Sequence, residues 1–125
     1  MYDRLIYSER EIKAGDIVAV LKKAYPDVRI SEVDKFQSFS FETKNNHGFF
    51  YLQDYEKDGS LMDYDVTIEN LGGQISYFKD KEHVFCFEID GSDPEFIDHV
   101  TDDILSTIPG AVIEGKDGKL YEKKQ

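Results

Sequence analysis

The chain has 125 residues, 40% hydrophobic and 33% charged, which is enough apolar material for one compact core and too much for a disordered segment. Fifteen Lys and Arg stand against 26 Asp and Glu, a net charge of −11, so nucleic-acid phosphates and anionic lipid surfaces are excluded as partners drawn by charge alone. The one cysteine, Cys86, can form no internal disulfide, no apolar stretch approaches the ~20 residues of a membrane span, and Met1 to Tyr7, carrying Asp3 and Arg4, shows no secretory signal. A single cytoplasmic domain over residues 1–125, without membrane or nucleic-acid partners, is the expectation.

Met1 to Tyr7 reads as a short strand, with Tyr2, Leu5, Ile6 and Tyr7 as its aromatic and branched residues. Ser8 and Glu11 have the spacing of a capping box and predict a helix from that point. Ile17, Val18, Leu21, Ala24 and Tyr25 form its apolar stripe, and Pro26 stops it. Gly15 weakens the helix locally, so the stretch at Ala14 to Asp16 also reads as a kink with Asp16 capping a fresh start.

From Val28 to Asp90 the pattern becomes short β-rich runs separated by turn residues, including Asn45-Asn46-His47-Gly48, Lys57-Asp58-Gly59, Asn70-Leu71-Gly72-Gly73 and Lys79 to Glu82. That spacing predicts an antiparallel meander. Met62, Tyr64, Val66 and Ile68 alternate with Asp63, Asp65, Thr67 and Glu69, giving one buried and one solvated face. Phe85, Phe87 and Ile89 repeat the alternation, with Glu88 and Asp90 facing out. Phe49, Phe50, Tyr51 and Leu52 do not alternate and predict a central strand covered on both faces.

Ser92 and Glu95 repeat the capping-box spacing, Pro94 sits near the first helical position, and Phe96, Ile97, Val100, Ile104, Leu105 and Ile108 form a second helical stripe ended by Pro109-Gly110. Ala111 to Glu114 and Leu120 to Glu122 then read as two short strands around a Lys116-Asp117-Gly118 turn. The expected fold is α+β: a mostly antiparallel sheet of about six strands with two amphipathic helices packed on one face.

The charge is regional. Residues 54–103 hold fifteen carboxylates against three lysines, a net of −12, and the rest of the chain sums to +1. Such self-repulsion works against the compact state. It reads either as a solvated outer face or as an electrostatic docking face for a basic partner. Tyr51, Tyr55, Tyr64 and Tyr77 accompany these carboxylates, a composition that suits a protein-binding surface or cross-strand packing within the sheet.

Catalytic and metal motifs do not stand out. His47, in a predicted turn, His83 and His99 are far apart and lack the short ligand spacings of zinc sites; Glu95, His99 and Asp103 share a helix face, where charge pairing accounts for them. Asp90 to Glu95 lacks the register of a calcium loop and reads as a strand-to-helix turn. Gly72-Gly73 opens no helix and reads as a hairpin turn. Cys86 lies between Phe85 and Phe87, on the opposite strand face, and reads as a packing residue. The sequence therefore assigns no catalytic residue, no metal ligand and no cofactor.

Phe85-Cys86-Phe87-Glu88-Ile89-Asp90-Gly91, the helix through Ile108, Gly110 to Glu114 and Asp117 to Tyr121 together resemble the ending of many small acidic bacterial immunity-type proteins. The resemblance covers the last third of the chain. It implies a stoichiometric inhibitor that covers the active site of a basic toxin domain such as a nuclease, and its motifs are structural, so no family residue carries over. The combined reading is a non-enzymatic acidic binding module for a basic protein, with Asp54, Tyr55, Glu56, Asp58, Asp63 and Asp65 as candidate interface residues. A small-molecule or peptide-binding domain with a pocket between helices and sheet is the alternative, and the sequence leaves the oligomeric state open.

Overall fold

The structure is a computed structural model in which residues 1–52 and 85–122 are described. These residues form seven strands and two helices: β1 (Tyr2–Ser8), α1 (Ala14–Ala24), β2 (Arg29–Ile30), β3 (Phe39–Glu42), β4 (His47–Leu52), β5 (Phe85–Gly91), α2 (Pro94–Thr107), β6 (Val112–Glu114) and β7 (Leu120–Tyr121). The strands make one antiparallel sheet in the order β2-β3-β4-β5-β1-β6-β7. The α+β architecture expected from the sequence is present.

Both helices lie on one face of this sheet, because each has one apolar stripe and the sheet offers one continuous apolar side. Ile17, Val20 and Leu21 of α1 and Phe96, Ile97, Val100 and Ile104 of α2 join Ile6, Phe41, Phe50, Phe87, Ile89 and Ile113 in a single buried cluster. Its centre is aromatic. Phe39 stacks on Phe50 with ring centroids 5.2 Å apart, Phe50 meets Phe87 at 5.4 Å, and Phe41 meets Phe96 of α2 at 6.1 Å, all within the range where ring pairs attract beyond their buried area. Thr101, a polar residue in the stripe, is fully buried and donates its hydroxyl hydrogen to the Ile97 carbonyl at 2.7 Å.

Two glycines let the layers close. Gly48 faces Gly91 across the β4–β5 ladder. A Cβ on Gly48 would lie 2.4 Å from Cζ of Phe41, and one on Gly91 would lie 2.7 Å from the His47 carbonyl oxygen and 2.8 Å from Ile97 Cδ1. The rings and α2 therefore occupy the volume that side chains would have taken.

A ladder of polar contacts ties α2 to β1. Arg4 Nη1 donates to Asp98 Oδ1 at 2.7 Å, and the Tyr2 hydroxyl donates to the same oxygen at 2.7 Å. Arg4 and Asp98 side chains are only 11% and 16% exposed, so this ion pair is shielded more than a surface pair. On the opposite face a smaller cluster, Tyr7, Cys86, Val112 and Leu120 with Leu5 against it, covers the β1–β5–β6–β7 end of the sheet, and Cys86 packs there.

Several local expectations are corrected. Helix α1 begins at Ala14, not after Ser8, because Ser8 ends β1 and its hydroxyl accepts the Arg10 N–H at 3.0 Å in a turn. At the true start Asp16 sits in the first turn and accepts the Lys13 N–H at 2.9 Å, while the Gln37 side chain accepts the Ala14 N–H at 3.1 Å. Ala24 of the expected stripe is exposed, and Val20 takes a buried place. The N-cap of α2 is Asp93, whose carboxylate accepts the Glu95 N–H at 3.1 Å, and not Ser92: Pro94 as the first helical residue makes its predecessor the cap. Gly118 closes the β6–β7 hairpin at φ 78°. The Met62 to Glu69 alternation, the 57–59, 70–73 and 79–82 turns and His83 lie outside the described residues.

Candidate functional site

The site begins with the register of β3 against β4. Phe39 pairs with Phe50 and Phe41 with Gly48 on the helix side, so Ser40 and Glu42 fall on the other side, opposite Phe49 and His47. Across β4, Phe49 pairs with Asp90 and Tyr51 with Glu88 of β5. His47, Phe49 and Tyr51 thus form a column along β4, with small and acidic β3 side chains on one flank and two carboxylates on the other.

The column is self-packed. His47 meets Phe49 edge-on at 4.7 Å, and Phe49 stacks with Tyr51 at 6.1 Å and an interplanar angle of 21°. This corrects the expectation that β4 is covered on both faces: Gly48, Phe50 and Leu52 are buried while Phe49 is half-buried and His47 and Tyr51 are exposed, Tyr51 to 40%. The rings shield one another, so the non-alternating run Phe49 to Leu52 has one core face and one self-stacked face. His47 is likewise a strand residue, not a turn residue, because the turn is made one step earlier, by Thr43 to Asn46 with Lys44 and Asn45 at its tip, and Thr43 N–H reaches the Asn46 carbonyl at 2.9 Å.

Asp90 is a second correction, being 9% exposed rather than facing freely out. Its Oδ1 is buried with no hydrogen-bond partner among the described residues, where an unpaired carboxylate oxygen is costly. The Tyr51 hydroxyl is pushed above its ordinary value, first by burial and then by the negative charges of Asp90 and Glu88. Further along the same side of the sheet, Glu114 of β6 is pushed up by burial and by Asp3 of β1. The face is crowded with like charge, and its β2 cation, Arg29, already pairs with Glu42 at 3.2 Å.

Between the column and the β2–β3 connection runs a groove. Small Ser40 on β3 leaves room, giving two adjoining depressions of ≈ 230 and ≈ 260 Å³ that share Ser31 and Ser40; the first reaches Glu42 and His47, the second Glu32, Asp34 and Tyr51. The outer wall is pinned by its own polar chemistry. The Ser31 hydroxyl accepts the Ser40 N–H at 2.9 Å, Asp34 Oδ1 accepts the Phe36 and Ser38 N–H groups at 2.9 Å each, and Gln37, at φ 61°, anchors the loop to α1 through Ala14. These residues were not singled out from sequence; the alternation Ser38-Phe39-Ser40-Phe41 is the signal that marks one aromatic and one small-residue face.

The sequence-derived interface residues Asp54, Tyr55, Glu56, Asp58, Asp63 and Asp65 lie outside the described residues. Tyr51 does sit against carboxylates, as its composition suggested. Among the described residues no group of three or more His, Cys, Asp and Glu could hold a metal ion, and no helix among them is long and apolar enough to cross a membrane. Compared with protein-family models, with curated proteins and with solved structures, the chain gives no match.

Proposed function

We propose that the protein is a non-enzymatic acidic binding module of the cytoplasm that docks a basic protein, in the manner of an immunity or inhibitor protein neutralising a toxin domain. The observation that carries this reading is the self-stacked His47–Phe49–Tyr51 column set among Glu42, Glu88 and Asp90 on the side of the sheet away from the helices. Aromatic rings supply contact area at small entropic cost, and surrounding carboxylates steer and select a cationic surface. The acidity of residues 54–103 and the resemblance of the last third to immunity-type proteins support the same reading. On the helix side, by contrast, the described helix–sheet interface is filled by side chains such as Ile17, Phe50, Phe87 and Ile97, all fully buried, which favours the acidic face over a pocket beneath the helices.

The test is capture of partners from the native host's lysate on the immobilised protein at low salt, followed by a salt gradient. A stoichiometric basic protein released by salt supports the proposal. A column that releases no such protein overturns it and makes the acidic face a solvating surface.

A further inference from the structure

The groove beside the aromatic column has a shape and chemistry that go further than a general acidic face. Its inner wall is the stacked Phe49–Tyr51 pair, whose outer ring is 40% exposed. Its outer wall carries two exposed carboxylates, Glu32 and Asp34. Asp34 spends Oδ1 on the Phe36 and Ser38 N–H groups, and its Oδ2 makes no hydrogen bond among the described residues. Glu88 and Asp90 of β5 lie on the far flank of the column and do not line the groove, so its own acidity comes from Glu32 and Asp34. A planar cation that stacks on a ring while its N–H groups reach carboxylates is the group that answers the exposed ring and the two outer-wall carboxylates together.

We propose that this groove receives one arginine side chain of a protein partner, its guanidinium stacked on Tyr51 and forked to Glu32 and Asp34. The proposal rests on the reading of the protein as a docking module for a basic protein, and names the group that is docked. Arginine is favoured over lysine because the guanidinium is flat, weakly hydrated and carries its donors in a fixed fork, whereas an ammonium is a compact, strongly hydrated point charge. The site is prepared in advance: the Ser31, Asp34 and Gln37 hydrogen bonds hold the outer wall to β3 and α1, so binding spends little on ordering the loop. A bulky residue at Ser40 would fill the groove floor, and the small serine is what keeps it open.

The test uses three short capped peptides, Gly-Arg-Gly, Gly-Lys-Gly and Gly-citrulline-Gly, titrated into the full chain at low salt while amide and ring resonances are followed by NMR. The Arg peptide should shift Ser38, Ser40, Phe49 and Tyr51 in one saturable curve, the Lys peptide should bind about two- to fivefold more weakly, and the uncharged citrulline peptide should leave them unmoved. Tyr51→Ser and Glu32→Gln, both at exposed positions, should each weaken the Arg peptide while preserving the spectrum of the folded chain. Equal response to all three peptides, or Arg binding unchanged in Tyr51→Ser, overturns the assignment. If a basic partner elutes identically from wild type and Tyr51→Ser, the docking function stands and the arginine groove falls. If the Arg peptide binds as described while no basic protein is captured, the groove stands and the docking function falls.

Discussion

Replacing Gly48 with alanine asks whether the contact between β4 and the aromatic core is as close as the geometry makes it. The added methyl would sit 2.4 Å from Phe41 Cζ and 2.7 Å from Cε2, about 1 Å inside ordinary carbon contact. Phe41 cannot simply swing away, being 1% exposed and packed against Phe39 and Phe96, each at 6.1 Å. Overpacking of this kind costs about 1–3 kcal/mol, and the lower entropy of an unfolded alanine returns about 0.4–1 kcal/mol. Taking the middle of each range, a net loss of about 1.3 kcal/mol follows, a fall in Tm of about 5 °C for a domain of this size. The assay is thermal and urea unfolding of Gly48→Ala, Phe41→Leu and the double variant. Because Leu vacates the ring tip, the double variant should be more stable than the sum of the two single losses. A neutral or stabilising Gly48→Ala, or strictly additive losses, would refute the close packing argued for this face.

Further outcomes follow from the same contacts. Asp98→Asn should cost about 2 kcal/mol in urea unfolding, since it leaves the shielded Arg4 guanidinium without that carboxylate; a loss below about 0.5 kcal/mol would place the pair among ordinary surface pairs. Asp93→Ala should cost about 1 kcal/mol by removing the cap of α2, whereas Ser92→Ala should be near neutral. Asp103, whose carboxyl is pushed up by burial first and by Asp102 next, with His99 opposing, is more easily protonated in the folded chain than in the unfolded one. It therefore favours the fold in acid and loses that contribution as pH rises from the ordinary carboxylate range through its raised value. Asp103→Asn should accordingly gain Tm at pH 7 and gain less at pH 4; an equal or reversed gain would contradict the sign. Reversing Asp63 and Asp65 to lysine should slow association with a captured basic partner without unfolding the chain, as read by stopped-flow mixing and circular dichroism.

What the sequence revealed, and what it hid, divides along physical lines. Both helical stripes, the first strand, the strand at Phe85 to Asp90 and the C-terminal hairpin are written in local periodicity and turn residues, and the structure has them. The start of α1 is legible only as one of two readings: Ser8, accepting an N–H two residues on, makes a turn where a cap is expected, and the fresh start with Asp16 capping is the reading the structure has. The cap of α2 is displaced by one residue because Ser92 and Asp93 are both competent acceptors and only the position of Pro94 decides between them. Phe49 to Leu52 reads as fully covered because a column of rings that stack on each other has the same composition as a strand buried on both faces. The groove itself is not legible beyond the small-residue alternation of Ser38 to Phe41: it depends on Arg29 pairing with Glu42 across the 31–38 loop and on Ser40 pairing with Phe49 across the 43–46 turn, contacts between strands that no pattern along one strand displays.

The central claim is that this acidic surface attracts and selects a basic protein. Its most direct measurement is the association rate constant of the salt-eluted partner as a function of ionic strength. The account predicts a rate that falls by about tenfold or more between low and high salt as carboxylates and cations are screened from one another, with the dissociation rate changing far less. An association rate independent of salt would contradict it, and would make the charge of this protein a matter of solvation alone.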